Sequence, residues 1–170
     1  TPNPKHRLIL YLMRYSGLRK SEACAITQNN LLSDGRLIIR MGKGQKDRIT
    51  ICHPEVFNKL KSFISLINND NQYIFQGQNA IGHYDERTPQ AILENAFIKL
   101  RWHKSRWFGC HALRHAFCIY SLDNRIGDYD QVSKWLGHST KTTTQIYTQC
   151  RKTDYADAIA KYKEVPCVIR

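Results

Sequence analysis

The sequence predicts an α+β domain that is mainly helical and carries one small antiparallel β-hairpin. Apolar residues recur at helical spacing along most of the chain, which indicates amphipathic helices. Two short runs, 37–39 and 49–51, have the composition of strands and flank a Gly-rich basic turn over 42–46. A chain of 170 residues is long enough for one domain with its own core.

The remaining elements follow from apolar spacing and from capping residues. Gly17 stands where a helix C-terminus is expected, and Thr88-Pro89 supplies an N-cap with a first-turn proline. Residues 73–75 are a candidate for a further short strand. No internal repeat, low-complexity tract or linker divides residues 1–170, so we expect a single domain. Helices are predicted over 5–16, 19–25, 54–67, 89–101, 111–122, 130–136, 140–148 and 154–163.

Composition narrows the class of partner. Twenty-six Lys and Arg against fourteen Asp and Glu leave a net charge of +12, which favours polyanions, nucleic acid above all. No apolar run approaches the roughly 18 residues of a membrane span, and no basic amphipathic helix with an aromatic anchor suggests a membrane surface. The six cysteines form no C-x-x-C or zinc-finger spacing, which favours a reduced intracellular protein, and we expect a cytoplasmic one. The start at Thr1, without Met or signal peptide, suggests an excised or processed domain.

Three clusters carry most of the side chains suited to phosphate chemistry. They are Gly-Leu-Arg-Lys-Ser-Glu over 17–22, His-Ala-Leu-Arg-His over 111–115, and Leu-Gly-His over 136–138, with Tyr147 nine positions later. Lys43 lies apart from these clusters, at the tip of the predicted hairpin. Each has an ordinary structural explanation when taken alone: a solvated Arg, a loop Lys, a capping His or a half-buried Tyr. Only their ordered combination indicates a site.

That combination resembles the catalytic domain of the tyrosine recombinase (phage integrase) family, over about residues 5–163. The resemblance implies that a separate DNA-clamping domain, absent from this chain, normally precedes it. It also implies a catalytic set, DNA-contacting residues and supporting residues. Glu22 would orient Arg19 or be a surface i,i+3 partner, and His115 would pack or support the site. The predicted catalytic residues are Arg19, Lys43, His111, Arg114, His138 and Tyr147, and the predicted DNA contacts are Lys20, Lys46 and Arg48.

These residue types suit phosphodiester cleavage without a metal. Arginine forks and histidines can stabilise the charged transition state that Mg²⁺ stabilises in metal nucleases, and no acidic cluster of that kind is evident. Tyr147 would attack to form a 3′-phosphotyrosine, with His111 as the candidate proton acceptor. Lys43, or alternatively Lys46, would protonate the departing 5′ oxygen. We therefore expect no metal, no other cofactor and no nucleotide.

The expected partners are double-stranded DNA and other copies of the chain, in what the family resemblance suggests is a tetrameric synapse. The helix over 154–163 would pack on its own domain or dock on a neighbouring protomer. Three alternative functions stay open. One is a strand transferase like type IB topoisomerases or telomere resolvases, the second is a non-catalytic DNA-binding module, and the third, a metal-dependent nuclease, lacks suitably spaced carboxylates.

Overall fold

The computed structural model describes residues 3–40, 47–67, 72–77, 82–137 and 152–166. Two antiparallel strands form its sheet, with Arg36 opposite Ile51 and Ile39 opposite Arg48. Short 3-10 helices cover Gln28–Asn30 and Lys104–Arg106. In chain order the main elements are α1 (Pro4–Ser16), α2 (Lys20–Cys24), β1 (Arg36–Ile39), β2 (Arg48–Ile51), α3 (Pro54–Leu66), α4 (Thr88–Lys99), α5 (His111–Asp123), α6 (Tyr129–Leu136) and α7 (Lys152–Glu164). The predicted α+β class is confirmed.

Most of the predicted elements are present. Each predicted helix within the described residues is confirmed, with ends displaced by one or two residues, while the one over 140–148 lies outside them. The predicted strand over 73–75 is wrong. Tyr73 and Gln76 each make an isolated bridge, to Thr27 and His83, because no neighbouring strand runs alongside for a continuous ladder. None of the helices described here is long and apolar enough to cross a membrane.

Helix α1 is central to the core. The Asn3 side chain accepts a hydrogen bond from the Lys5 amide at 2.9 Å, and Pro4 occupies the first turn, so the helix start is well capped. The helix packs against α2, α3, α4 and α5. Its apolar positions, spaced by three and four residues, are buried: Leu8, Ile9, Leu12 and Met13.

Helix α7 packs on its own domain, against α3 and β2. Tyr155, Ala158 and Tyr162 are buried on its inner side, and the Tyr162 hydroxyl donates to the Tyr15 carbonyl at 2.9 Å. Of the two arrangements predicted for this helix, packing on its own domain or docking on a neighbouring protomer, the structure has the first. The contact joins the last helix of the described chain to Tyr15, near the C-terminal end of α1.

The turn between α1 and α2 brings the first cluster of polar residues toward α5. Gly17 ends α1 with φ of 66°, in the left-handed region that glycine adopts without strain. A Cβ atom there would lie 2.6 Å from Cδ1 of the buried Phe117. Gly17 is therefore required by the backbone conformation and by the close approach of α5.

We predict that Gly17→Ala lowers the free energy of unfolding by about 2–4 kcal/mol, since left-handed strain and overpacking against Phe117 add together. Gly82→Ala is the matched control, because Gly82 has the same φ of 66° but a Cβ atom there would have no neighbour within 4 Å. Urea unfolding measures both variants. Equal losses in the two variants would show that the contact with Phe117 contributes nothing.

Candidate active site

The carboxylate of Glu22 lies at the centre of the first two clusters. Its side chain is only 7% exposed, and three guanidinium groups surround it. Arg48 binds both oxygens at 2.6 Å, Arg19 binds Oε1 at 2.9 Å, and an Arg114 nitrogen lies 4.0 Å from Oε2. Burial alone would raise the pKa of Glu22, but the hydrogen bonds and charges of Arg48 and Arg19 outweigh burial and lower it. Glu22 is thus a buried anion and not a surface partner of Arg19.

Arg48 does not fit the predicted role of DNA contact. Its side chain is 4% exposed, and besides the two-pronged bond to Glu22 its Nε donates to the Trp135 carbonyl at 2.8 Å. All three nitrogens are therefore committed inside the protein. Arg48 starts the strand that follows the hairpin, so it fixes that strand to α2 and to the end of α6. We assign it a positioning role.

Arg114 is the second buried arginine, at 3% exposure on the inner side of α5. Its Nη1 donates to the Gly17 carbonyl at 2.5 Å and its Nη2 donates to the Leu136 carbonyl. Burial, together with the nearby charges of Arg19 and Arg48, lowers the pKa of Arg114 to about 10, still well above neutrality. The group therefore remains a cation, held between the end of α1 and the end of α6.

Arg19 and Lys20 are the cluster's solvent-accessible cations. Arg19 is the N-cap residue of α2, its amide donates to Glu22 Oε2 at 2.7 Å, and its side chain is 39% exposed. Lys20 is exposed at the first helical position. Glu22 orients Arg19 through the Nη1 hydrogen bond, while the Arg19 side chain stays partly exposed to solvent. Both side chains are thus accessible to a phosphate.

The two histidines of the His-x-x-Arg-His motif are both exposed. His111 begins α5, three residues before Arg114 as the motif predicts, although Arg114 turns inward and His111 turns to solvent. His115 is exposed, one helical position beyond the buried Arg114, and its predicted role, packing or support of the site, stays a prediction. His111 remains the accessible base candidate.

Four predicted residues lie outside the described residues. Lys43 and Lys46 fall in 41–46, and His138 and Tyr147 fall in 138–151. The described chain nevertheless holds the residues next to these segments. Arg48 lies two residues after Lys46, and the Trp135 and Leu136 carbonyls that bind Arg48 and Arg114 lie just before His138.

Two cysteines near this cluster are poor nucleophiles. Cys24 and Cys110 are free and buried. Burial raises the pKa of the Cys24 thiol to about 12 and that of Cys110 to about 11. Neither thiol ionises appreciably at neutral pH, so neither competes with another nucleophile at the site.

The cluster is electrostatically suited to an anion. Three guanidinium groups face one carboxylate, so two positive charges have no carboxylate partner within the cluster. Within the described ranges, no group of three or more His, Cys, Asp or Glu side chains could hold a metal ion. Sequence patterns could not reveal the backbone part of the cluster, the carbonyls of Gly17, Trp135 and Leu136, because a carbonyl's orientation depends on tertiary packing.

We predict that Glu22→Gln lowers the free energy of unfolding at neutral pH by about 3 kcal/mol, because it leaves buried guanidinium groups without their anion. The pKa of Glu22 is lowered in the folded state, so its stabilisation is present above the ordinary value of 4.5 and is lost as the pH falls through the folded-state pKa. Urea unfolding of both proteins at neutral and acid pH measures this.

The stability difference between the two proteins should therefore narrow below pH 4.5. Glu55→Gln, on an exposed residue in the first turn of α3, is the matched control and should cost little. A difference that stays constant from neutral to acid pH would contradict the assignment of charge-dependent stabilisation to Glu22.

Comparison with known proteins gives consistent results. Tyrosine recombinase XerA of Thermococcus onnurineus is 29% identical over 154 residues, covering 85% of this chain and 51% of that protein. A crystal structure of XerA recombinase is 26% identical with a TM-score of 0.65, covering 96% of this chain and 64% of the other. XerH recombinase bound to difH substrate shares the fold, at 24% identity and TM-score 0.64 over 90% of this chain and 45% of the other. The chain spans about half the length of the curated relatives it matches.

The family assignment comes from the match to the phage integrase family, which extends over residues 2–154. That range includes every predicted catalytic position, from Arg19 to Tyr147. The buried Glu22 cluster joins the first and second motifs of the resemblance, which lie almost a hundred residues apart in the sequence. This chain belongs to the phage integrase family.

Proposed function

We propose that this chain is the catalytic domain of a site-specific DNA recombinase that cleaves and rejoins DNA through a 3′-phosphotyrosine at Tyr147. The observation that carries the proposal is the Glu22 cluster, which holds Arg19 and Arg114 together from separate helices. Such an arrangement suits a phosphodiester, whose oxygens accept hydrogen bonds from guanidinium groups. Membership of the phage integrase family supports the same reaction.

Three described residues, two accessible and one buried, have roles in the proposed phosphoryl transfer. Arg19, whose side chain is 39% exposed, binds a non-bridging oxygen. The cation of Arg114 lowers the energy of the charged transition state from inside the protein. His111, exposed at the start of α5, accepts the proton of the attacking phenol, whose ordinary pKa is about 10.

The residues outside the described ranges complete the proposed reaction. Tyr147 is the nucleophile, and Lys43 or Lys46 protonates the 5′ oxygen as it leaves. His138 follows the α6 C-terminus, where the Leu136 carbonyl binds Arg114, so we assign His138 to the same phosphate. The phosphotyrosine conserves the energy of the broken bond, and a 5′-hydroxyl reverses the step without ATP, metal or other cofactor.

The proposed partners are duplex DNA and further copies of the chain in a tetrameric synapse. The relative XerH was solved with its difH substrate, which supports DNA as the partner class here. The net charge of +12 supports the same class. We propose a cytoplasmic, DNA-associated protein, with Lys20 and Lys46 among its phosphate contacts and a DNA-clamping domain as a separate unit.

We predict that the chain forms a covalent adduct with a nicked duplex, and that Tyr147→Phe abolishes it because the phenol oxygen is the attacking atom. Denaturing electrophoresis of labelled DNA measures the adduct, and peptide mapping locates it. Tyr129→Phe, on an exposed tyrosine at the start of α6, is the matched control and should leave the yield unchanged. Undiminished yield in excess EDTA is expected, so a strict Mg²⁺ requirement would refute the metal-free mechanism.

We predict that Lys43→Ala slows cleavage by about 10²–10⁴-fold, the range for loss of a general acid, and that a 5′-thio leaving group restores most of the rate. A thiolate leaves without protonation, so it needs no acid. Single-turnover cleavage of oxygen and sulfur substrates measures the rescue. Rescue of Lys46→Ala in place of Lys43→Ala would assign the proton donor to Lys46.

A further inference from the structure

A second basic surface, distinct from the Glu22 cluster, lies between α4 and α5. We define the basic segment as residues 99–108, Lys-Leu-Arg-Trp-His-Lys-Ser-Arg-Trp-Phe. No acidic residue occurs between Glu94 and Asp123 in the sequence. The four cations of the segment are exposed, and no ion pair joins them to a carboxylate anywhere in the described ranges: Lys99, Arg101, Lys104 and Arg106.

An aromatic cluster holds this irregular segment in place. The buried Phe97 ring stacks on Trp102 at 5.4 Å between centroids and contacts Trp107 at 5.7 Å and Phe108 at 4.8 Å. The Trp107 indole also donates to the Trp102 carbonyl at 3.1 Å. The cations therefore project from a preorganised scaffold, which reduces the entropy lost on binding. Trp102 and Phe108 remain 41% and 39% exposed, so apolar area lies beside the charges.

Arg101 occupies a backbone position at which glycine is usual. Helix α4 ends in a Schellman motif: the Trp102 amide donates to the Phe97 carbonyl and the Arg101 amide to the Ile98 carbonyl, both at 3.0 Å. Arg101 has φ of 53°, in the left-handed region that costs a non-glycine residue free energy. Replacing Arg101 with glycine would therefore remove its charge and relieve this strain.

The basic segment leads directly into the candidate active site. Phe108 is three residues before His111, and the Cys110 amide donates to the Gln90 side chain at 3.0 Å, which ties this junction to α4. The basic segment is thus continuous along the chain with His111 at the start of α5.

We propose that the basic segment binds the sugar–phosphate backbone of duplex DNA beside the phosphate that is cleaved. This inference rests on the proposed function and adds a surface to it. Exposed cations with no salt-bridge partner in the described ranges match a polyanion, and the exposed apolar faces beside them suit contact with deoxyribose. Anionic membrane would match the charge too, but the continuity of the segment with His111 at the start of α5 favours the DNA.

The test compares two arginines in the same backbone setting. Arg125, at the end of α5, has φ of 52° and the same pair of Schellman hydrogen bonds, through Arg125 to Leu122 and Ile126 to Ser121. Arg101→Gly and Arg125→Gly each remove one exposed charge and supply the residue that the backbone prefers, so both should fold with unchanged or raised unfolding midpoints. Each change is made in a Tyr147→Phe background, which prevents cleavage during binding measurements.

Fluorescence anisotropy with a short labelled duplex of arbitrary sequence gives the Kd over a range of salt concentrations. We expect Arg101→Gly to weaken binding and to lower the slope of log K against log salt by about 0.9, the value for one lost phosphate contact. Adding Lys104→Gln and Arg106→Gln should lower the slope further. Arg125→Gly should leave the slope unchanged.

Equal effects of Arg101→Gly and Arg125→Gly would overturn the proposal, because net charge alone would then explain them. An unchanged slope for Arg101→Gly would also overturn the proposal. If the same variant then bound anionic phospholipid vesicles more weakly than the parent chain, the segment would be a membrane contact. Adduct formation by the otherwise wild-type chain is measured separately. If no adduct forms but the salt slope depends on Arg101, the recombinase function is refuted and the DNA-binding surface is supported. If the adduct forms normally but the slope is unchanged, the recombinase function is supported and the surface is refuted.

Discussion

The carboxylate of Glu22 is buried among three guanidinium groups, and the arrangement of the described active-site residues depends on that interaction. A buried charge is tolerated only when it is paired and hydrogen-bonded, and Glu22 satisfies this with Arg48 and Arg19 in direct contact. The same condition applies to Arg48 and Arg114, whose buried charges also need a partner. Neither partner is stable in place without the other, so α2, β2 and α5 are fixed together.

Backbone carbonyls at helix ends supply the other hydrogen-bond acceptors for the buried arginines. The last carbonyls of a helix have no partner within the helix and carry partial negative charge. In this chain the Trp135 and Leu136 carbonyls at the end of α6 bind Arg48 and Arg114, and the Gly17 carbonyl beyond α1 also binds Arg114. Gly137, the next residue, lets the Arg48 side chain approach the end of α6, since a Cβ atom there would lie 2.8 Å from Cδ of Arg48. Backbone dipoles therefore hold arginines that a carboxylate alone would leave partly unsatisfied.

The two arginines of the family motif are accordingly not equivalent. Arg114 is enclosed at 3% exposure, whereas the Arg19 side chain is 39% exposed. In the proposed reaction, a phosphate bound by Arg19 would meet positive charge that the fold has already arranged, so little reorganisation is needed as negative charge develops in the transition state. The basic segment extends this positive surface away from His111 along a scaffold that Phe97 and its aromatic neighbours hold in place.

Periodicity, caps and ordered motifs in the sequence were sufficient for the helices, the hairpin and the family, because each depends on local spacing or on residue order. Gly17 illustrates this, since its position after an amphipathic run predicts the helix end that the structure has. Residues 73–75 lacked a strand partner, and Arg48 was buried and not on the DNA surface; neither fact is local. Only the tertiary structure decided which charges are enclosed and which face solvent, because burial depends on contacts between residues far apart in the chain.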